Sequence, residues 1–142
     1  MKDNIILSIH PIYADLIDEG KKIYEVRTRC LNLDIGTRIW IYKTSPKSSI
    51  SSYAEIEKII CISPDKAWKK YSREMFIKKV DYDNYVKDKK EIYLLKLSHI
   101  TKLSREIKLS DLKKKNIEFY PPQFFKKLKD TEIIYRTLNK LL

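Results

Sequence analysis

The sequence predicts an α+β fold, a small mixed β-barrel with short helices packed around it. Three observations predict it. Short apolar runs, several of them alternating, recur along the chain with turn residues between them. Helix-start signals interrupt those runs at His10-Pro11, Ser63-Pro64-Asp65 and Ser110-Asp111. The spacing is uneven, so the regular strand–helix–strand period of a parallel sheet is missing. At 142 residues and 43% hydrophobic content, a single domain spanning 1–142 with one core is expected.

Asn4–Ile9 is an apolar run that reads as a strand. The helix after it has Pro11 at its first position, where a missing N–H costs nothing. Ile12, Tyr13, Leu16 and Ile17 share one face of that helix, and Gly20 closes it. Ile23–Thr28 alternates, placing Tyr24 and Val26 on one side and Ile23, Glu25 and Arg27 on the other. Gly36 marks a turn before Thr37–Lys43, a strand whose centre, Ile39 to Tyr42, reads as largely buried. Thr44–Ser52, a run of Ser, Lys and Pro, reads as a loop.

Tyr53–Ile62 alternates apolar and charged residues as a half-buried strand does. Ser63 then supplies an N-cap hydroxyl and Asp65 a carboxylate at the positive end of a helix that carries Trp68. Ser72–Lys87 is expected to be helical in two pieces around Asp81, and Ile92–Ile100 to form another strand. Ser110-Asp111 is expected to cap a short helix, and Asp130–Leu142 to close the chain as a helix with Ile133, Ile134, Leu138 and Leu141 at helical spacing.

Thirty Lys plus Arg against nineteen Asp plus Glu give a formal net charge of +11, which makes a polyanion the expected partner. A Lys-rich surface from a biased composition carries the same signature. Cys30 and Cys61 have neither CxxC spacing nor a neighbouring His, so buried free thiols are expected, with no metal and no cofactor. The N-terminus lacks the apolar run of a signal peptide, and no stretch reaches membrane-spanning length. A soluble, reduced, cytoplasmic protein is the expectation. Oligomeric state is not legible.

Five stretches in register resemble the ASCH domain family. Leu7-Ser8-Ile9-His10-Pro11 with Tyr13-Ala14 is similar to the family's "LSIKPEYA" opening. Gly20-Lys21-Lys22-Ile23-Tyr24-Glu25-Val26-Arg27 is similar to "GxKxxEFR". Gly36 through Ile41-Tyr42-Lys43-Thr44-Ser45-Pro46 matches a glycine, a strand and "YxSSP". Ser63-Pro64-Asp65-Lys66-Ala67-Trp68 resembles "SPDKLW", and Pro121-Pro122-Gln123 resembles "PPQSF", with Phe124 in place of its Ser. The resemblance implies a PUA-like β-barrel with a cleft walled by the first helix, the Gly20–Arg27 segment and the Ser/Pro loop. It also implies a role with RNA, and for some members ribonuclease activity or hydrolysis of acetylated cytidine.

Lys22, Glu25 and Arg27 are the leading candidates. On an extended segment Glu25 and Arg27 point the same way, and an Arg oriented by a carboxylate is a fork for a phosphate or a base edge. The same spacing suits a structural salt bridge. Tyr42, Lys43, Thr44, Ser45 and Lys47 would form a second wall, with hydroxyls for phosphate oxygens and Tyr42 to stack on a base, unless Tyr42 belongs to the core. His10 is either an acid–base group or a helix-entry residue. Lys113, Lys114 and Lys115 are expected to meet phosphates without sequence preference, or to be a solvated face. The expected function is binding of single-stranded or modified RNA, or of a modified nucleoside, in a basic cleft. One alternative is a metal-independent hydrolase, a ribonuclease or an acetylated-cytidine amidohydrolase, using Lys22 and Glu25. Another is a regulator that binds DNA or protein.

Overall fold

The structure, a computed structural model, describes residues 3–142. Its strands are β1 (Asn4–Ile9), β2 (Tyr24–Arg27), β3 (Arg38–Lys43), β4 (Ser49–Ile62), β5 (Ile92–Lys108) and β6 (Phe125–Leu128). They form one sheet in the order β2-β5-β4-β3-β1-β6. β1 and β3 run parallel, and the other neighbours are antiparallel. The sheet curls into a half-barrel, with five short helices packed on it: α1 (Pro11–Asp18), α2 (Pro64–Tyr71), α3 (Lys79–Tyr85), α4 (Leu109–Lys114) and α5 (Ile133–Asn139).

The period of two decides which layer each strand residue enters. Ile5, Leu7 and Ile9 of β1 join Ile39, Ile41, Leu95 and Leu97 inside the curl, sealed by Ala14 and Ile17 of α1. Ile6, Trp40, Tyr42 and Ile50 face the other way and pack under Leu112 of α4 and Ile134 and Leu138 of α5. Trp40 is fully buried there, and its indole N–H donates to Asn4 Oδ1 at 2.9 Å. A third cluster joins Tyr24, Val26, Ile92 and Leu94 to Ala67, Met75, Tyr82 and Val86 of the segment between β4 and β5. β2, at one edge of the sheet, is thereby brought back toward β1. The sheet does not close there, and a seam remains.

Several local expectations are corrected. β4 begins at Ser49, within the stretch read as a loop, and Ser49, Ser51 and Ser52 are all buried. Polar residues hold a central strand here because two hydroxyls find acceptors, Ser49 on Glu106 at 3.3 Å and Ser52 on Asp18 at 2.5 Å. The break between the helical pieces of 72–87 falls at 75–78, where Phe76 has φ +49, and Asp81 lies in the first turn of α3. α4 starts at Leu109 without a side-chain cap, so Ser110 and Asp111 are inside it. β6 was hidden by Lys126 and Lys127, which suit an exposed edge strand. Cys30 and Cys61 are exposed: Cys30 lies in the loop after β2, and Cys61 of β4 faces away from the side on which Ile60 and Ile62 pack into the third cluster. No described helix is long and apolar enough to cross a membrane.

Candidate active site

The seam holds a cleft of about 390 Å³. Its near wall comes from β1 and the entry to α1, its floor from the Lys22–Arg27 segment, and its far wall from α3. Gly20 (φ +76) takes the chain out of α1 in a left-handed turn, with Lys21 and Lys22 N–H both on Leu16 O. Ile23 N–H then bonds Glu74 O at 2.9 Å, which folds the 72–78 segment over Lys22.

Lys22 is only 2% exposed. Its Nζ donates to Met75 O, lies 3.8 Å from Glu25 Oε1, and faces the Tyr13 ring at 5.1 Å from its centroid. Burial lowers the Lys22 pKa; Glu25 opposes that shift, and the nearby Arg27 charge adds to it. Glu25 Oε1 accepts the Val26 N–H at 3.1 Å, and Oε2 accepts from Arg27 Nη2 at 3.2 Å. The same Nη2 crosses the seam to Ser8 O at 3.2 Å, while the guanidinium lies 4.7 Å from the Phe124 ring centroid. Arg27 Nε–H is buried and has no acceptor in the structure. His10 Nδ1 caps α1 by accepting the Ile12 N–H at 3.3 Å, and its exposed ring sits on the cleft rim. The cleft therefore offers a cation with a disfavoured charge, a carboxylate and an oriented fork with a spare donor.

The structure thus brings His10, Lys22, Glu25 and Arg27 together. It does not bring the second wall to them. Tyr42 is 4% exposed, edge-on to Phe119 at 5.8 Å, and takes no part in the lining. Lys43 points away into an ionic cluster with Asp15 at 2.8 Å, Asp18 at 3.3 Å and Glu106 at 2.8 Å. Thr44, Ser45 and Lys47 lie on the turn beyond β3, outside the lining. Lys113 is exposed on α4, while Lys114 and Lys115 line a different hollow beside β5. Sequence reasoning missed Tyr13, Asp81 and Tyr85 as cleft residues, and Phe124 as the ring that supports Arg27 from behind. Ile77, Asp81 and Tyr85 recur every four positions, a helical-face signal that was legible before the partner of that face was known.

A curled half-barrel with its candidate site at the open seam defines a PUA-like domain. The chain belongs to the ASCH domain family. Residues 5–117 match the family described as "Domain of unknown function (DUF365)". The ASCH domain-containing ribonuclease of Zymomonas mobilis subsp. mobilis is 34% identical over 120 residues, 83% of this chain and 79% of that protein. The crystal structure of ASCH from Zymomonas mobilis superposes with a TM-score of 0.88 at 30% identity, covering 97% of this chain and 94% of that one. Human THYN1, crystallised with DNA containing 5-methylcytosine, shares the fold at a TM-score of 0.57 and 14% identity, over 98% of this chain and 97% of its own.

Proposed function

We propose that the seam cleft takes one unpaired nucleotide of RNA and that the protein cleaves the strand there without a metal. The observation that carries the reading is Lys22: a lysine 2% exposed, its charge disfavoured by burial, beside Glu25 and an open hollow. The relative named a ribonuclease supports the reaction class. A neutral Lys22 amine accepts the 2′-hydroxyl proton, and the freed oxygen attacks the adjacent phosphorus. Arg27, oriented by Glu25 and with Nε–H unclaimed, offsets the charge that gathers on the phosphoryl oxygens. The bond to the 5′ oxygen breaks, and His10 on the rim supplies that oxygen's proton. The products are a 2′,3′-cyclic phosphate and a 5′-hydroxyl end. Tyr13 and Tyr85 flank the hollow and suit the faces of a base.

The test is incubation with single-stranded RNA in a chelator, with the ends identified by mass. Cyclic phosphate ends that vanish in Lys22→Met, and when the 2′-hydroxyl is replaced by hydrogen, are expected. RNA that is bound but left intact would reduce the reading to recognition alone. Turnover of acetylated cytidine with intact RNA would move the same residues to amide hydrolysis. Neither binding nor turnover would end the RNA reading.

A further inference from the structure

We propose that the hollow between the far half of β5 and α4 is a second binding site, which holds the phosphodiester backbone of the single-stranded RNA whose nucleotide enters the cleft. The inference rests on the RNA reading above. The hollow has a volume of about 470 Å³, larger than the cleft, and shares no lining residue with it.

Its charges are unusually uncommitted. Lys102, Arg105, Lys114 and Lys115 all line it and are all exposed. Among the described residues none of the four has a carboxylate within 4.0 Å. Two acids share the lining, Glu106 and Asp111. Glu106 is already bound by Lys43 at 2.8 Å and by Ser49 at 3.3 Å. Four cations therefore converge on a concave surface against one uncommitted carboxylate, Asp111. Like charges held together without partners are unfavourable unless a polyanion joins them. The Ser104 hydroxyl adds a donor suited to phosphate oxygens, and half-buried Tyr53 lines the same hollow.

Register ties the hollow to the cleft. Ile9, Lys43, Ser49 and Lys108 form one row across four adjacent strands, β1, β3, β4 and β5. Cleft and hollow thus lie toward the same end of the sheet, the cleft with Ile9 and Tyr13 of the inner layer and the hollow with Tyr53, Leu103 and Ile107 of the outer one. Their strands are three spacings, or about 14 Å, apart along that row. That is a span of a few nucleotides. The turn between them carries the exposed Lys47, which acts electrostatically on Glu106 at the hollow's edge. Lysines on exposed stems position a backbone without reading bases, so the second site adds affinity for long RNA irrespective of its sequence.

The experiment compares a trinucleotide with a dodecanucleotide, both 2′-O-methylated to prevent cleavage, over a range of salt. The variants are Lys102→Ala/Arg105→Ala/Lys114→Ala/Lys115→Ala and, as a charge-matched control, Lys66→Ala/Lys69→Ala/Lys89→Ala/Lys90→Ala. In the first, the preference for the longer strand is expected to collapse. The salt slope should flatten by about 0.7 for each lost phosphate contact, or close to 3 in all. The control should keep both the preference and the slope. Equal losses in the two variants would reduce the effect to net charge and overturn the proposal, as would an unchanged slope in the first. Displacement of the long RNA by polyglutamate of matched charge would assign the hollow to an acidic protein instead. If the unmodified protein binds neither length, the RNA reading itself has failed, a different result from each of these.

Discussion

Lys22 and Lys43 are both buried, at 2% and 5% exposure, and each lies within 4.0 Å of at least one carboxylate. Their surroundings act in opposite senses. Lys22 has one carboxylate, 3.8 Å away and shared with Arg27, and burial dominates, so its pKa falls. Lys43 has three carboxylates within 3.3 Å, and although burial opposes them, hydrogen bonds to Asp15 and Glu106 raise its pKa. A lysine with too little counter-charge is poised to release a proton; a lysine with excess counter-charge is a staple between α1, β3 and β5. Burial alone does not separate the two cases. The number and distance of the partners does.

The comparison breaks if the two lysines answer mutation alike. Lys22→Met should lower the rate of RNA cleavage by about two to four powers of ten, the range of a general base, with the urea midpoint kept or raised. Kept cleavage would remove Lys22 from the chemistry. Lys43→Met should instead cost roughly 3 to 5 kcal/mol of stability in urea titration, because the almost fully buried Asp18 is left without its cation. A loss below 1 kcal/mol would mean that the carboxylates find water in its place.

pH sharpens the contrast. Between the lowered folded pKa of Lys22 and its ordinary 10.5, the unfolded chain holds more protons, so stability rises with pH across that window. Lys43 behaves oppositely: its contribution is present below 10.5 and is lost as pH rises through its raised folded value. Its partner Glu106 has a depressed pKa, caused first by the Lys43 hydrogen bond. The Glu106 contribution is full above the ordinary 4.5 and lost as pH falls through the folded value. Urea midpoints across the acid range should accordingly flatten in Glu106→Gln, whereas Lys22→Met should remove part of the alkaline rise. The smallest effect expected is at Phe124. Phe124→Leu removes the ring beneath Arg27 and should cost about 1 kcal/mol, a coupling that a double-mutant cycle with Arg27→Lys would read out.

Much of the fold was legible before the structure. Five of the six strands, α1 with its proline start and glycine stop, and α2 with its Ser63 cap follow from periodicity and capping chemistry. The misplaced pieces share a cause. Ser49–Ser52 reads as a loop because isolated hydroxyls favour turns, and only Glu106 and Asp18, distant in sequence, make a strand of it. β6 is four residues long, two of them lysines, and exists because the edge of β1 was open. Within the site, Glu25 and Arg27 share a strand face, and their pairing was readable from spacing. The Ser/Pro loop was expected beside them. It sits instead at the end of β3, with Tyr42 in the core and Lys43 turned toward α1.

The amino-acid order by itself determined the local elements, the excess of positive charge and the face shared by Glu25 and Arg27, since these depend on neighbours a few positions apart. Only the tertiary structure decided which lysine is starved of counter-charge and which is saturated, that α3 walls the cleft beside the former, and that Phe124 backs Arg27. The physical reason is that desolvation and Coulomb energies depend on distances through space, and the seam that sets those distances is formed by segments far apart along the chain.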